Sequence, residues 1–396
     1  MAPRRSWRAE ARKLRPLLNR WRQEFHRHPE LAYREFRTRT SILAALRRLS
    51  IPARSFGPFP GVVGIIAGDA AGPVVALRAD MDGLPVQEST GLPFSSREAG
   101  AMHACGHDVH MSCLLGAAAL LQAHRDELRG PVKLLFQPAE EDGSRGGAQP
   151  MIEKGCLEHP KVDFVLGQHV APEIPVGAIG WKSGPMMAAA DHLVIRVFGR
   201  PGHAAYPHRG PDAIVAAAEV VTGLQALVSR SRNPLDPVVV SIGSVHGGTR
   251  RNILPECVVL EGTVRTFSPR VRSSMERLIR TRVDHLARSL GTRAEVDYVR
   301  GYPTTVNDPG VTARLVEGFT RELGPRHVVP VERPVMGAED FSRYLERVPG
   351  CFWFLGAQGA GPAASLHSPT FAPPPETLET GTAALVTATL TLQEAG

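Results

Sequence analysis

The chain has 396 residues, 43% hydrophobic and 21% charged, with a net charge of +7 at neutral pH. That length exceeds one small core and predicts two domains, while no apolar run approaching bilayer-spanning length and no leader with an apolar stretch is visible. The positive balance would suit a polyanion, but it concentrates in the run from Arg4 to Arg48, where a solvated helical face accounts for it; nucleic acid and membrane are not expected partners.

Residues 7–27 and 34–49 carry a helical period, and Pro52 stops the second. Residues 61–68 (GVVGIIAG) and 73–80 (PVVALRAD) are short, apolar and β-branched, and read as strands; the second closes on Asp80-Met81-Asp82-Gly83. Residues 102–110 (MHACGHDVH) pack three imidazoles, a thiol and a carboxylate around Gly106, and an apolar helix is predicted from Met111 to Glu127. Residues 131–137 (PVKLLFQ) form a buried-type strand that runs into Pro138-Ala139-Glu140-Glu141. Residues 162–170 form a fourth strand with His169 at its end. Apolar strands alternating with helices predict a three-layer α/β/α domain with a mixed, mostly parallel sheet. Ligands bind past the carboxyl ends of such strands, and Asp80, Asp82, Glu140, Glu141 and His169 all fall there.

From about Pro185 the rhythm changes. A strand at 191–200, an amphipathic helix at 211–230, strands at 237–245 and 256–267, a helix opened by Ser268-Pro269 and closed by Gly291, and a strand at 293–299 follow in turn. The order β-α-β-β-α-β is that of a ferredoxin-like α+β domain. The reading therefore divides the chain into 1–184, the first part of a catalytic domain; 185–299, an inserted domain; and 300–396, its second part. In that last part helices are expected at 308–323 and 338–347, a strand at 351–355, and a closing helix after 373–375.

Cys105 and His107 flank a glycine that permits a tight turn, so both can face one ion. Thiolate and imidazole suit zinc, cobalt, nickel or iron, and carboxylates add manganese. In a Glu-Glu pair one carboxylate can ligate while its neighbour takes a proton from water. A lone buried cysteine or solvated glutamate would be unremarkable; several sorted onto one sheet edge predict a metal centre. Five cysteines, odd in number and without a CxxC pair, argue against a disulfide framework and for a reducing, cytoplasmic setting.

FHRHPEL, RADMDGLP, HACGHD, QPAEE, GQHV, GRPGHAAYPH, RNILPE, GAEDFS and LHSPTF occur in this order. Together they resemble the dinuclear metallopeptidase family of aminoacylases and glutamate-type carboxypeptidases, in its branch of hippurate and indoleacetyl-amino-acid hydrolases. The resemblance runs from Phe25 to Phe371. It implies an α/β catalytic domain with an inserted lid and dimerisation domain, and a homodimer or higher homo-oligomer. It implies two divalent ions, manganese or zinc first and cobalt or nickel next, held by Cys105, His107, Glu141, His169 and His367. Glu140 would be the general base and Asp82 the acid that orients a ligating imidazole. His203 would stabilise the oxyanion in a partner's site; Asn252 and Arg265 would bind the substrate's amide oxygen and carboxylate, with the insert closing over it.

The reaction so implied is hydrolysis of the amide bond of N-acyl amino acids, hippurate-like or otherwise. The alternative is a carboxypeptidase or dipeptidase using the same centre on short peptides. A cysteine hydrolase using Cys105 is a further possibility in principle. His103 and His110 are expected to support the site rather than ligate, and His208 either to shape it or to cap the next helix. Met111, Pro201 and Pro373-Pro374-Pro375 depart from the family pattern and bear on substrate range rather than on the reaction.

Overall fold

In the computed structural model, which describes residues 5–69, 71–361 and 364–394, the chain separates into two compact units. Arg4, where the basic run starts, lies outside the described residues. The first unit is Met1–Met186, Val306–Pro334 and Asp340–Gly396; the second is Met187–Thr305 and Val335–Glu339. The sequence reading sets its insert at 185–299 and leaves 335–339 in the last segment.

The first unit is built on an eight-stranded sheet. Its order is Ala53–Phe56, Phe59–Ile66, Val132–Gln137, Val75–Asp80, Phe164–Pro175, Gly350–Gln358, Ile179–Trp181 and Val328–Pro330. The four central strands run parallel, with Asp80 opposite Gln137, Arg78 opposite Gly167 and His169 opposite Phe354. Val75–Asp80 and Val132–Gln137 are buried along their whole length. That is why they read as unbroken apolar runs rather than alternating ones.

Against one face pack the helices His107–Ala123, Arg15–Arg27 and Glu376–Glu394, sharing a core with Leu18, Val75, Leu77, Leu114, Leu166, Trp353 and Leu385. Where His107–Ala123 meets its neighbours, Gly116 leaves no room for a Cβ, which would lie 2.5 Å from Leu18. On the other face Phe341 stacks on Phe352, and Gly167 makes room for both rings. Each fully buried Leu, Val or Phe contributes about 1.5–3 kcal/mol.

Several expected bounds move. The first helix is two, Trp7–Lys13 and Arg15–Arg27, because Pro16 in the new first turn has no N–H to continue the ladder. The helix expected from Met111 begins at His107, and that expected at 338–347 shrinks to Ser342–Leu345. His169 is not at a strand end: the strand continues to Pro175. The strands at 53–56, 179–181 and 328–330, of three or four residues, are too short to show a period.

The second unit holds a four-stranded antiparallel sheet in the order Val238–His246, Cys257–Thr266, Ala189–Phe198, Arg293–Arg300. With helices Ala213–Arg230 and Pro269–Ser289 this is the ferredoxin-like arrangement. Ala213–Arg230 is, by length and composition, long and apolar enough to cross a membrane, which the sequence reading did not expect of any segment. Its Ala216, Val220, Leu224 and Leu227 are buried in this unit's core with Leu193, Leu260 and Ile279.

Candidate metal centre

Three turns bring the chemistry to the carboxyl edge of the large sheet. The first is at Gly106, whose φ of 81° is the left-handed conformation that glycine alone adopts freely. A Cβ there would also lie 2.5 Å from Val170, so Cys105 and His107 sit on either side of a point with no room for a side chain. The helix starts at once with His107, and Asp108 occupies its positive end. The second turn follows Val132–Gln137, where Ala139 is left-handed at φ 56° and Glu140–Asp142 form one 3-10 turn. The third carries His367, at φ 65°, and its N–H donates to Ala104 O at 2.9 Å. A left-handed non-glycine residue costs about 1–2 kcal/mol, so the fold holds both Ala139 and His367 against their preference.

These turns, with the strand that carries His169, gather the five expected ligands. The donor atoms of Cys105, His107 and His169 lie within 4.8 Å of one another, as do those of Cys105, Glu141 and His367, and those of His107, Glu140 and Glu141. Cys105 belongs to two groups and can serve two ions. Its Sγ is 3.3 Å from His169 Nε2. Glu141 Oε1 is 3.3 Å from His367 Nε2 and 4.0 Å from His107 Nε2. Asp142, the third acid of the run, turns away: its Oδ2 accepts from the backbone N–H groups of Ser144, Arg145 and Gly146.

Hydrogen bonds fix which nitrogen faces inward. His107 Nδ1 pairs with Asp82 Oδ1 at 3.2 Å, and His169 Nδ1 donates to Val170 O at 2.8 Å. Each Nε2 is thereby the nitrogen turned toward the cluster. Asp82 uses its second oxygen to accept from Glu141 N at 2.9 Å. His110 is a support: Nδ1 donates to Asp80 at 2.6 Å and Nε2 accepts from Val170 N at 2.9 Å. His103 is buried beside Asp108, and burial holds it near 3, hence neutral.

The electrostatics ask for a cation. His107 Nε2 is buried without a hydrogen-bond partner, which proteins avoid unless something else satisfies it. Burial pushes the Cys105 thiol well up, and Glu141 and Glu140 push it further, so only a positive charge nearby can release its proton. Burial opposes a charged His107, but Asp80 and Asp82 outweigh it and raise it to about 10. His169, on which burial and His110 outweigh Asp80, is held near 3. The donors thus fit divalent cations of borderline softness.

Behind the donors lies a buried charged lattice that the sequence reading did not assign. Arg78 donates to Gln137 at 2.9 Å, to Asp80 at 2.7 Å and to Asp340 at 2.9 Å, and Gln137 also donates to Asp340. Its one sequence signal is an arginine inside an otherwise apolar strand, which must find acids when both faces are covered. On the helix side, His26 bridges Asp108 at 2.9 Å and Glu88 at 3.1 Å, and Arg22 joins Asp108 at 3.1 Å. So Arg22 is not part of the solvated face expected of the basic run: it is 3% exposed.

The remaining expected residues lie in the second unit. Gly202–His203 pairs with Ile253–Leu254, and Ala204 N donates to Asn252 O at 3.0 Å. Two motifs distant in sequence thereby put His203 and Asn252, 49 positions apart, on one small ribbon, both exposed. Arg265 stands in Cys257–Thr266, half-buried, opposite Ala190 and Val239. His208 does not cap the following helix; Asp212 does, accepting from Ile214 N and Val215 N.

Comparison with known proteins places this geometry in context. The family model described as peptidase family M20/M25/M40 matches residues 76–391. An N-acetyl-L-cysteine deacetylase of Bacillus subtilis is 41% identical over 338 residues, 85% of this chain and 80% of that one. A thermostable carboxypeptidase of Saccharolobus solfataricus is 40% identical over 339 residues, 85% of each chain. Among solved structures, the YxeP protein of Bacillus subtilis, a dinuclear metal-binding peptidase, superposes with a TM-score of 0.84 at 34% identity, covering 97% of this chain and 99% of that one.

Proposed function

The chain belongs to peptidase family M20/M25/M40, and from that premise we propose that it hydrolyses the amide bond of N-acyl amino acids to a free amino acid and a carboxylic acid. The observation that carries the reading is the convergence of Cys105, His107, Glu141, His169 and His367 beside a further buried carboxylate, Glu140. A deacetylase of an N-acetylated amino acid among the relatives supports the acyl-amino-acid half of the reading.

Cys105, His107 and His169 would hold one divalent ion, and Cys105, Glu141 and His367 a second; when bound, such ions supply Lewis acidity and bring the pKa of water toward neutrality. Manganese or zinc fits the mixed thiolate, imidazole and carboxylate donors first, cobalt or nickel next. Glu140 accepts a proton from the water whose oxygen attacks the amide carbon. It then returns that proton to the leaving nitrogen as the C–N bond breaks. Asp82 holds His107 in the tautomer that presents Nε2.

His203, Asn252 and Arg265 carry the reading further. Arg265 would grip the substrate carboxylate, Asn252 the amide oxygen, and His203 the developing oxyanion, supplied across a homodimer; its exposed ring suits that role. Mixed dimers of His203→Ala and Glu140→Gln chains would regain part of the activity that either lacks alone, and no recovery would remove this exchange.

The test is a panel of N-acyl amino acids offered to metal-reconstituted protein, with acyl and amino-acid halves varied separately. Wild type should turn over, and Glu140→Gln should lose about 10²–10⁴-fold in kcat with bound metal unchanged. An active Gln variant would remove the base assignment. A second reading, a carboxypeptidase or dipeptidase, is favoured by the carboxypeptidase relative. Higher kcat/KM on dipeptides or blocked peptides than on N-acyl amino acids would select it.

A further inference from the structure

Glu140 is not placed by its strand. Val132–Gln137 ends three residues earlier, and the chain reaches Glu140 only through the left-handed Ala139. Unlike glycine, alanine does not hold φ 56° by preference, so an outside contact must select it.

That contact comes from far upstream. Ala139 N donates to Glu35 Oε1 at 2.7 Å, and Glu35 is 0% exposed. Glu35 sits at the N-cap position of Phe36–Arg48 yet makes no side-chain cap there; its acceptor is spent on the other loop. Burial, reinforced by Asp82, raises its carboxyl to about 8, a cost the helix itself does not require. Two neighbours grip the same region. Tyr33 OH donates to Gly146 O at 2.9 Å, at the far end of the Glu140 loop, and Glu30 O accepts from Gly83 N at 2.7 Å, in the turn that carries Asp82. Residues 30–35 thus hold the backbone of both acidic turns.

We propose that Glu35 is a positioning residue for Glu140: its carboxyl oxygen, by accepting the Ala139 N–H, fixes the turn through which the chain brings Glu140 to the donor cluster. The proposal rests on the reading of Glu140 as the base. Gln at position 35 keeps the acceptor oxygen; Met keeps the volume without it; Ala removes both.

The test uses the full chain of wild type, Glu35→Gln, Glu35→Met and Glu35→Ala. In metal-free protein, hydrogen exchange of the segment 138–147 is expected to quicken about tenfold in Met and Ala and to stay near wild type in Gln. In metal-loaded protein, kcat should fall about 10- to 100-fold in Met and Ala, with metal content unchanged, KM within about twofold, and Gln close to wild type. Exchange and kcat at wild-type levels in Met, or Gln as impaired as Met, would overturn the proposal. So would loss of global fold, read by circular dichroism, in both Met and Ala. The exchange arm needs no substrate. A wild type inactive on N-acyl amino acids would sink the functional reading while leaving the loop contact to be judged by itself.

Discussion

Asp82 Oδ1 accepts a hydrogen bond from His107 Nδ1 at 3.2 Å, and that one contact settles which way the His107 imidazole faces. The same carboxylate receives Glu141 N at 2.9 Å, so one buried acid orients two donors from separate segments. Asp82→Asn keeps the shape but offers an amide that cannot accept at both positions. Metal affinity should fall about 10- to 100-fold, measured by titration against a chelating indicator. Unchanged affinity would show that packing alone sets the ring.

Cys105 is common to two of the donor groups, whereas His367 belongs to one. Cys105→Ala should therefore weaken both ions, and His367→Ala should leave one in place, as read by elemental analysis after gel filtration. Chelation should abolish hydrolysis in wild type, and manganese or zinc should restore it. Activity that survives chelation would point to the thiol as nucleophile instead.

The His26 clasp makes stability depend on pH. Burial opposes its charge, but Asp108 and Glu88 raise it from 6.5 to about 9; Glu88, against burial, is held down near 2 by His26 and Thr90. A raised histidine contributes fully below 6.5 and loses that contribution as pH climbs through 9. A depressed carboxylate contributes above 4.5 and loses it as pH falls through 2. The clasp is therefore strongest between these unfolded-state values. The histidine's share is about 3 kcal/mol by the usual conversion of pKa shift to free energy. Thermal melts of wild type against His26→Gln should differ most near pH 5–6 and converge above about pH 9. A constant difference across that range would refute the linkage.

Arg265 is half-buried, and burial lowers its pKa without displacing it from the charged state. If it grips the substrate carboxylate, Arg265→Ala should raise KM at least about tenfold for N-acyl amino acids. The matching N-acyl amino amides, which lack that carboxylate, should be nearly indifferent. Equal effects on both would assign Arg265 to the architecture of its strand.

Much of this was legible in the sequence, and the rest was hidden for physical reasons. Alternating apolar strands and helices marked the α/β sheet, and the acids after 80 and 137 marked its working edge, because strand ends are where backbone pairing stops and side chains become available. The Gly106 turn was legible too, though not that a helix would begin in the next residue. His169 looked terminal because its strand continues through Val170-Ala171-Pro172, where a proline disguises it. Arg78, Asp340 and Glu35 were overlooked for a different reason. Each has a partner between 59 and 262 positions away, and even the one local signal, Arg78 in an apolar strand, does not say which acid answers it.

The carboxylate that completes the lattice around Arg78 arrives from Asp340, 262 positions later, and the last donor, His367, follows it. In the order of synthesis Cys105, His107 and Glu141 come first, His169 soon after, and His367 last. One donor group, Cys105, His107 and His169, is thus complete about two hundred residues before the other, which waits for His367. A chain halted between residues 169 and 367 would carry one donor group whole and the other without its last member.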